Sequence, residues 1–132
     1  RQHHKHAYYL IKHSDLGGLT AEEIDVVANI ARYHRRVLPS LKHETFNCLT
    51  PRLQRVVKIL ASLLRIADGL DRTHFSLVRA VNVKLGKQMT IEVRLTGDAE
   101  MELWAAKGRA DLFEQVFRRR VLFSGVLETE PS

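Results

Sequence analysis

The residues of this chain best suited to holding a metal ion are its histidines and one aspartate. His3, His4 and His6 crowd the first six positions, while His34 and Asp68 stand far downstream. His34 is four residues beyond Ile30 and seven beyond Val27, and Asp68 is four beyond Leu64 and seven beyond Ala61, spacings that bring each to the apolar side of its helix. A carboxylate in the last turn of a helix opposes the macrodipole and costs a few tenths to ~1 kcal/mol unless a cation or donor answers it. Two answers are open. Imidazole and carboxylate together suit a divalent ion such as Zn, Fe or Mn, which can activate water for phosphate hydrolysis. Alternatively, His34 and Asp68 bond each other, neighbouring arginines or helix ends, without a metal, since neither an adjacent His-Asp pair nor an HExxH supplies a compact ligand set.

A second chemistry is anion binding. No acidic residue occurs between Glu44 and Asp68, and that window holds Arg52, Arg55, Lys58 and Arg65 at i, i+3, i+6 and i+13. On a helix these make a basic face beside the apolar one, and Arg35, Arg36, Lys42 and Arg72 adjoin it in sequence. The formal charge of +6 is local: residues 1–75 carry 12 Lys+Arg against 7 Asp+Glu, a balance of +5, and residues 76–132 carry 9 against 8, a balance of +1. Such a face is either simply solvated or grips a polyanion. Nucleic acid is the first polyanion to consider, yet the chain has no recognition-helix motif and no aromatic platform beside the basic face, which argues against it. A phosphate chain without bases needs only the charges. Gly17-Gly18 lacks the Lys-Ser/Thr of a P-loop, and neither GxGxxG nor GxSxG occurs, which excludes a Walker-type mechanism and a nucleophile elbow. Asp68-Gly69-Leu70-Asp71 lacks the later ligands of a calcium loop.

The elements that must carry these residues follow from periodicity. A short helix is expected over 6–13, ended by Ser14-Asp15 and Gly17-Gly18. Thr20-Ala21-Glu22-Glu23 has the form of a capping box, and Ile24, Val27, Ala28, Ile30, Ala31 and His34 extend an apolar face to about Arg35. After a loop over 37–49, Thr50-Pro51 starts a helix with Leu53, Val56, Val57, Leu60, Ala61, Leu64 and Ala67 on its apolar face and Gly69 as a left-handed cap. Beyond Phe75 the period changes from 3.6 to 2. A hairpin over 77–95 turns at Gly86-Lys87, helices follow over 99–106 and around Leu112 to Phe117, Val121 to Leu127 returns as a strand, and a tail follows from Glu128. Trp104, Phe113 and Phe117 are expected in the core of this second part. The fold class is therefore α+β: a helical part over residues 1–74, then a small α+β part over 75–132.

Composition is that of a globular chain, 45% hydrophobic and 27% charged, and Cys48 is the single cysteine, so no disulfide framework exists and a reducing, cytoplasmic setting is expected. No apolar run reaches the ~18 residues of a membrane span, and the first residues do not read as a signal peptide. The absence of an initiator Met leads to the expectation of a piece of a longer polypeptide.

Three ordered segments carry a resemblance: His3-His4-Lys5-His6-Ala7-Tyr8-Tyr9-Leu10-Ile11, Ala31-Arg32-Tyr33-His34-Arg35, and Leu64-Arg65-Ile66-Ala67-Asp68-Gly69-Leu70-Asp71-Arg72. Together with Glu102-Leu103-Trp104-Ala105 and Ala110-Asp111-Leu112-Phe113-Glu114 they resemble the C-terminal region of the exopolyphosphatase / guanosine pentaphosphate phosphohydrolase (Ppx/GppA) family over nearly the whole chain. The resemblance implies an HD-like helical domain, truncated at its N-terminus, followed by a small α+β domain. It also implies an actin-like, Mg-dependent catalytic module in a part of the protein not included here, so that no catalytic residue of the main site lies in this chain. His6, His34 and Asp68 would be remaining members of an HD-type metal site whose His-Asp dyad lies upstream. The family's C-terminal region grips polyphosphate and supports homodimerisation, which implies polyphosphate or guanosine pentaphosphate as ligand through Arg35, Arg36, Lys42, Arg52, Arg55, Lys58, Arg65 and Arg72. The rival readings are an HD-type metal phosphohydrolase and, more weakly, a nucleic-acid-binding module.

Overall fold

The structure, a computed structural model, describes residues 3–35 and 37–128, with the side chains of His3 and His4 outside the description. Its elements run α1 (His3–Lys12), α2 (Ala21–Tyr33), α3 (Glu44–Asn47), α4 (Pro51–Leu70), β1 (Val78–Leu85), β2 (Met89–Leu95), α5 (Glu100–Gly108), α6 (Asp111–Phe117) and β3 (Val121–Leu127). The α+β class and the order of helices followed by a hairpin, helices and a return strand are as the sequence leads one to expect. None of the described helices is long and apolar enough to cross a membrane.

The chain forms two compact units, Arg1–Leu64 and Arg65–Ser132, divided within α4. That is earlier than the change of periodicity near residues 72–76 indicates. Ile66 and Leu70, on the last turns of α4, pack into the core of the sheet and so belong to the second unit.

In the first unit, α2 begins with the expected capping box: Thr20 Oγ1 accepts from the Glu23 amide at 3.0 Å and Glu23 Oε1 accepts from the Thr20 amide at 2.8 Å. The buried stripe of α2 is rotated from the expected one. Val26, Ala28, Asn29, Arg32 and Tyr33 are buried, whereas Ile24, Val27, Ile30, Ala31 and His34 are only partly so. Polar residues take inner positions because the loop after α2 supplies partners for them: Asn29 Nδ2 donates to the carbonyls of Asp25 (2.9 Å) and Thr45 (3.2 Å), and Arg32 Nη1 donates to Thr45 Oγ1 (2.9 Å). The short helix α3 lies inside what the sequence indicates as loop. It brings Phe46 edge-on to Tyr33, ring centroids 5.7 Å apart, and Gln54 of α4 closes it by donating to the carbonyls of Phe46, Asn47 and Leu49.

In the second unit, β2 is central, pairing antiparallel with β1 and parallel with β3. A parallel neighbour requires a crossover, and α5 and α6 provide it. Met89, Ile91, Val93 and Leu95 alternate inward on β2 and form one core with Ile66, Ala99, Ala110, Phe113 and Val121. Gly69 is not a left-handed cap, because the helix continues through it to Leu70. Its role is close approach: a Cβ there would lie 2.9 Å from the Cα and N of Ala106 and 3.1 Å from the carbonyl carbon of Ala105. The phenylalanine expectation holds, Phe113 buried and Phe117 packed on the core with ring centroids 4.4 Å apart.

Candidate functional site

The acid-free stretch of α4 sorts its cations by environment. In the first unit Arg52, Arg55 and Lys58 are exposed on the first turns of the helix, started by Pro51 and by Thr50, whose Oγ1 accepts from the Leu53 amide at 3.3 Å. The residues from 52 to 58 span about 9 Å at 1.5 Å per residue. Arg52 lies 3.7 Å from Glu22 with side chains 74% and 60% exposed, a pair that solvent screens strongly. Lys58 Nζ sits 5.9 Å from the Phe46 ring centroid, an exposed cation over an aromatic face. Arg35 and Lys42 of the same unit are also exposed, and Arg36 lies outside the described residues.

Arg65 departs from this pattern. It is 4% exposed, and its Nη2 donates to Asp111 at 3.3 Å. The 3.6-residue period carries it away from the solvent face and toward the α5–α6 side of the second unit, where its charge is spent on structure. Leu60 and Leu64, expected on the apolar face, are exposed instead, and Ser62 and Ile66 take the inner positions.

The expected metal ligands are placed as follows. His6 is exposed, and His34 Nδ1 meets the Ala31 carbonyl at 2.6 Å within its own helix end. Asp68 accepts from Arg109 Nη1, so a cation answers this carboxylate at the end of α4. Among the described residues no group of three or more His, Cys, Asp or Glu is arranged to hold a metal.

Another histidine, the half-buried His43, pairs with the buried Tyr33. Its Nδ1 lies 2.6 Å from Tyr33 Oη, and the rings stack with centroids 5.6 Å apart. Burial, reinforced by the positive charges of Arg32 and Lys5, holds the imidazole below its ordinary 6.5, and burial raises the Tyr33 phenol. Both shifts favour the uncharged forms of the pair. This is a structural hydrogen bond.

In the second unit an open cleft of about 570 Å³ is lined by Arg72, Trp104, Ala105, Lys107, Gly108 and Arg109. Trp104 is not in the core as expected but is 74% exposed. The buried face of α5 is made by Glu102, Ala105 and Ala106, and Trp104 falls outside that arc. Glu102, 1% exposed, accepts from the Thr73 amide at 2.8 Å and from the Thr73 hydroxyl. Burial pushes its carboxyl up, but these two donors and the nearby Arg72 charge outweigh it and leave the group below its ordinary 4.5. Nothing local in the sequence marks this acid, because it sits in a helix rich in apolar residues and its partners Thr73 and Arg72 lie about thirty residues earlier.

The family model for Ppx/GppA phosphatase, domain III, matches residues 1–107, from α1 into α5. The chain belongs to the Ppx/GppA phosphatase family. No curated protein matches it. The match takes in every exposed cation described on α4 as well as Arg72, Trp104 and Lys107, whereas Gly108 and Arg109 at the end of the cleft lie just beyond it.

Proposed function

We propose that this Ppx/GppA domain binds the phosphate chain of inorganic polyphosphate or of a phosphorylated guanosine nucleotide through the exposed cations of α4. The observation that carries the reading is the exposure of Arg52, Arg55 and Lys58 within a stretch free of acids from residue 45 to residue 67. A row of cations with no carboxylate between them attracts a linear polyanion and releases its counterions, and it needs no base contact. Arg35 and Lys42 add charge in the same unit, and Arg72 adds it in the second. Arg65 is left out of the set, since its charge is buried against Asp111. In this reading the domain grips the phosphate chain, and hydrolysis is performed by another part of the phosphatase.

The test is binding of labelled inorganic polyphosphate across a salt series. Arg52→Glu combined with Arg55→Glu should weaken binding at least tenfold and flatten its salt dependence. Unchanged affinity in that variant, with its thermal unfolding preserved, overturns the reading.

A further inference from the structure

The cleft beside Trp104 combines two features that the α4 cations lack, a large exposed aromatic face and a preset geometry. We propose that it is a nucleotide subsite, in which a purine ring stacks on Trp104 and the phosphates of the same molecule lie against Arg72 and Lys107. This deepens the phosphate-chain reading by selecting a ligand that carries a base.

The indole is the side chain that most needs an explanation. At 74% exposure it holds the largest aromatic surface of the chain in water, although the same helix buries a glutamate. An isolated exposed tryptophan has no chemical direction, but this one shares its cleft with three cationic side chains. Arg109 donates to Asp68, so its charge is largely matched. The remaining cations, Arg72 and Lys107, are exposed at their own positions. A flat π surface next to two cations is complementary to a molecule with a planar ring at one end and negative charge at the other. The volume, about 570 Å³, is within the range of small-molecule sites. Inorganic polyphosphate would use the cations and leave the indole bare.

The walls of the cleft are also fixed with respect to each other. Gly69 allows the end of α4 to approach the backbone of α5 at Ala105 and Ala106. Glu102, on the inner side of α5, holds the amide and hydroxyl of Thr73, the residue next to Arg72. The Arg72 amide donates to the Gly69 carbonyl at 3.2 Å, which sets the chain where that side chain leaves it. Gly108 presents no side chain, and nothing lies within 4 Å of where its Cβ would be, so the floor at the end of α5 stays open. The arrangement is ordered before any ligand arrives, which reduces the entropy cost of binding.

Trp104 is the single tryptophan of the chain, so its emission reports on this cleft alone. The 132-residue chain is titrated with GTP, with ATP and with inorganic tripolyphosphate, following tryptophan fluorescence and, in parallel, calorimetric affinity. The purine nucleotides should quench the indole, and tripolyphosphate should bind at least tenfold more weakly at this cleft. Trp104→Ala should lower GTP affinity about tenfold or more, as loss of base stacking does, while Trp104→Phe retains most of it. Lys107→Glu should weaken GTP binding, while binding of long inorganic polyphosphate depends on Arg52 and Arg55. The subsite and the α4 reading can thus fail separately: loss of polyphosphate binding in the Arg52/Arg55 variant supports the helix whatever happens at Trp104. Equal affinity for GTP and tripolyphosphate, or GTP affinity unchanged by Trp104→Ala, overturns the subsite. A Trp104→Ala variant that alters self-association but not nucleotide affinity also overturns it, by making the indole a protein contact.

Discussion

The cations of α4 meet opposite environments in the two units that share this helix. In Arg1–Leu64, the first turns of α4 leave Arg52, Arg55 and Lys58 in solvent, and the groups drawn inside are instead Asn29, Arg32 and Tyr33, tied through Thr45 and the half-buried His43 to the segment that follows α2. In Arg65–Ser132, Arg65 is buried against Asp111, Arg109 is matched by Asp68, and an aromatic ring is left outside. A cation can act on a ligand only where the fold does not already supply its counter-charge. Net charge alone does not reveal this distinction.

The contrast can be broken most severely at the aromatic cluster of the first unit. Phe46 is 1% exposed and touches Tyr33, so Phe46→Ala should cost about 3–5 kcal/mol in urea unfolding. The two roles of α4 cations are compared directly by truncating one of each. Arg65→Ala removes a buried guanidinium and its hydrogen bond to Asp111 and should destabilise by about 1.5–3 kcal/mol, whereas Arg52→Ala should fall within about 0.5 kcal/mol of the parent. Equal losses in those two variants would erase the distinction. Gly69→Ala tests the close approach of the second unit: the atoms it meets are backbone and cannot rotate away, so a loss of about 1–3 kcal/mol is expected by thermal unfolding.

The smallest effects are those of pH, and they separate the units by range. His43 binds its proton less readily in the folded chain than at its ordinary 6.5. On acidification the unfolded state takes up that proton first, so stability from this site is complete above 6.5 and is lost as pH falls through the lower folded value. Glu102 behaves likewise from 4.5 downwards, because its folded carboxyl is also held low. His43→Gln should remove the mildly acidic loss and leave the strongly acidic one, and Glu102→Gln should do the reverse. Denaturant melts followed by far-UV circular dichroism across this pH range check both.

Much of this molecule is readable from its sequence because the signals are local. The Thr20 capping box, the Thr50-Pro51 start, the strict alternation from Met89 to Leu95 and the acid-free run after Glu44 depend on neighbours a few residues apart, and the chain folds as they dictate. The family resemblance likewise rests on ordered segments, and the domain III match agrees with it. Other features are decided by partners distant in the chain. Arg65 and Arg52 are equivalent by type, and it is burial beside partners such as Asp111, far along the sequence, that makes one of them structural. Asp68 reads as a carboxylate that needs a positive answer at its helix end, and Arg109, distant in the chain, is one that supplies it. Gly69 reads as a helix cap, but its missing Cβ is required by the backbone of α5. Trp104 reads as core because hydrophobicity assigns a residue to an interior without saying which arc of a helix that interior covers, and the packing of α5 puts the indole outside. Sequence by itself determined the elements other than α3 and the supply of charge. The tertiary structure decided which charges and which ring remain available to a ligand, because availability depends on what else is packed within a few ångströms.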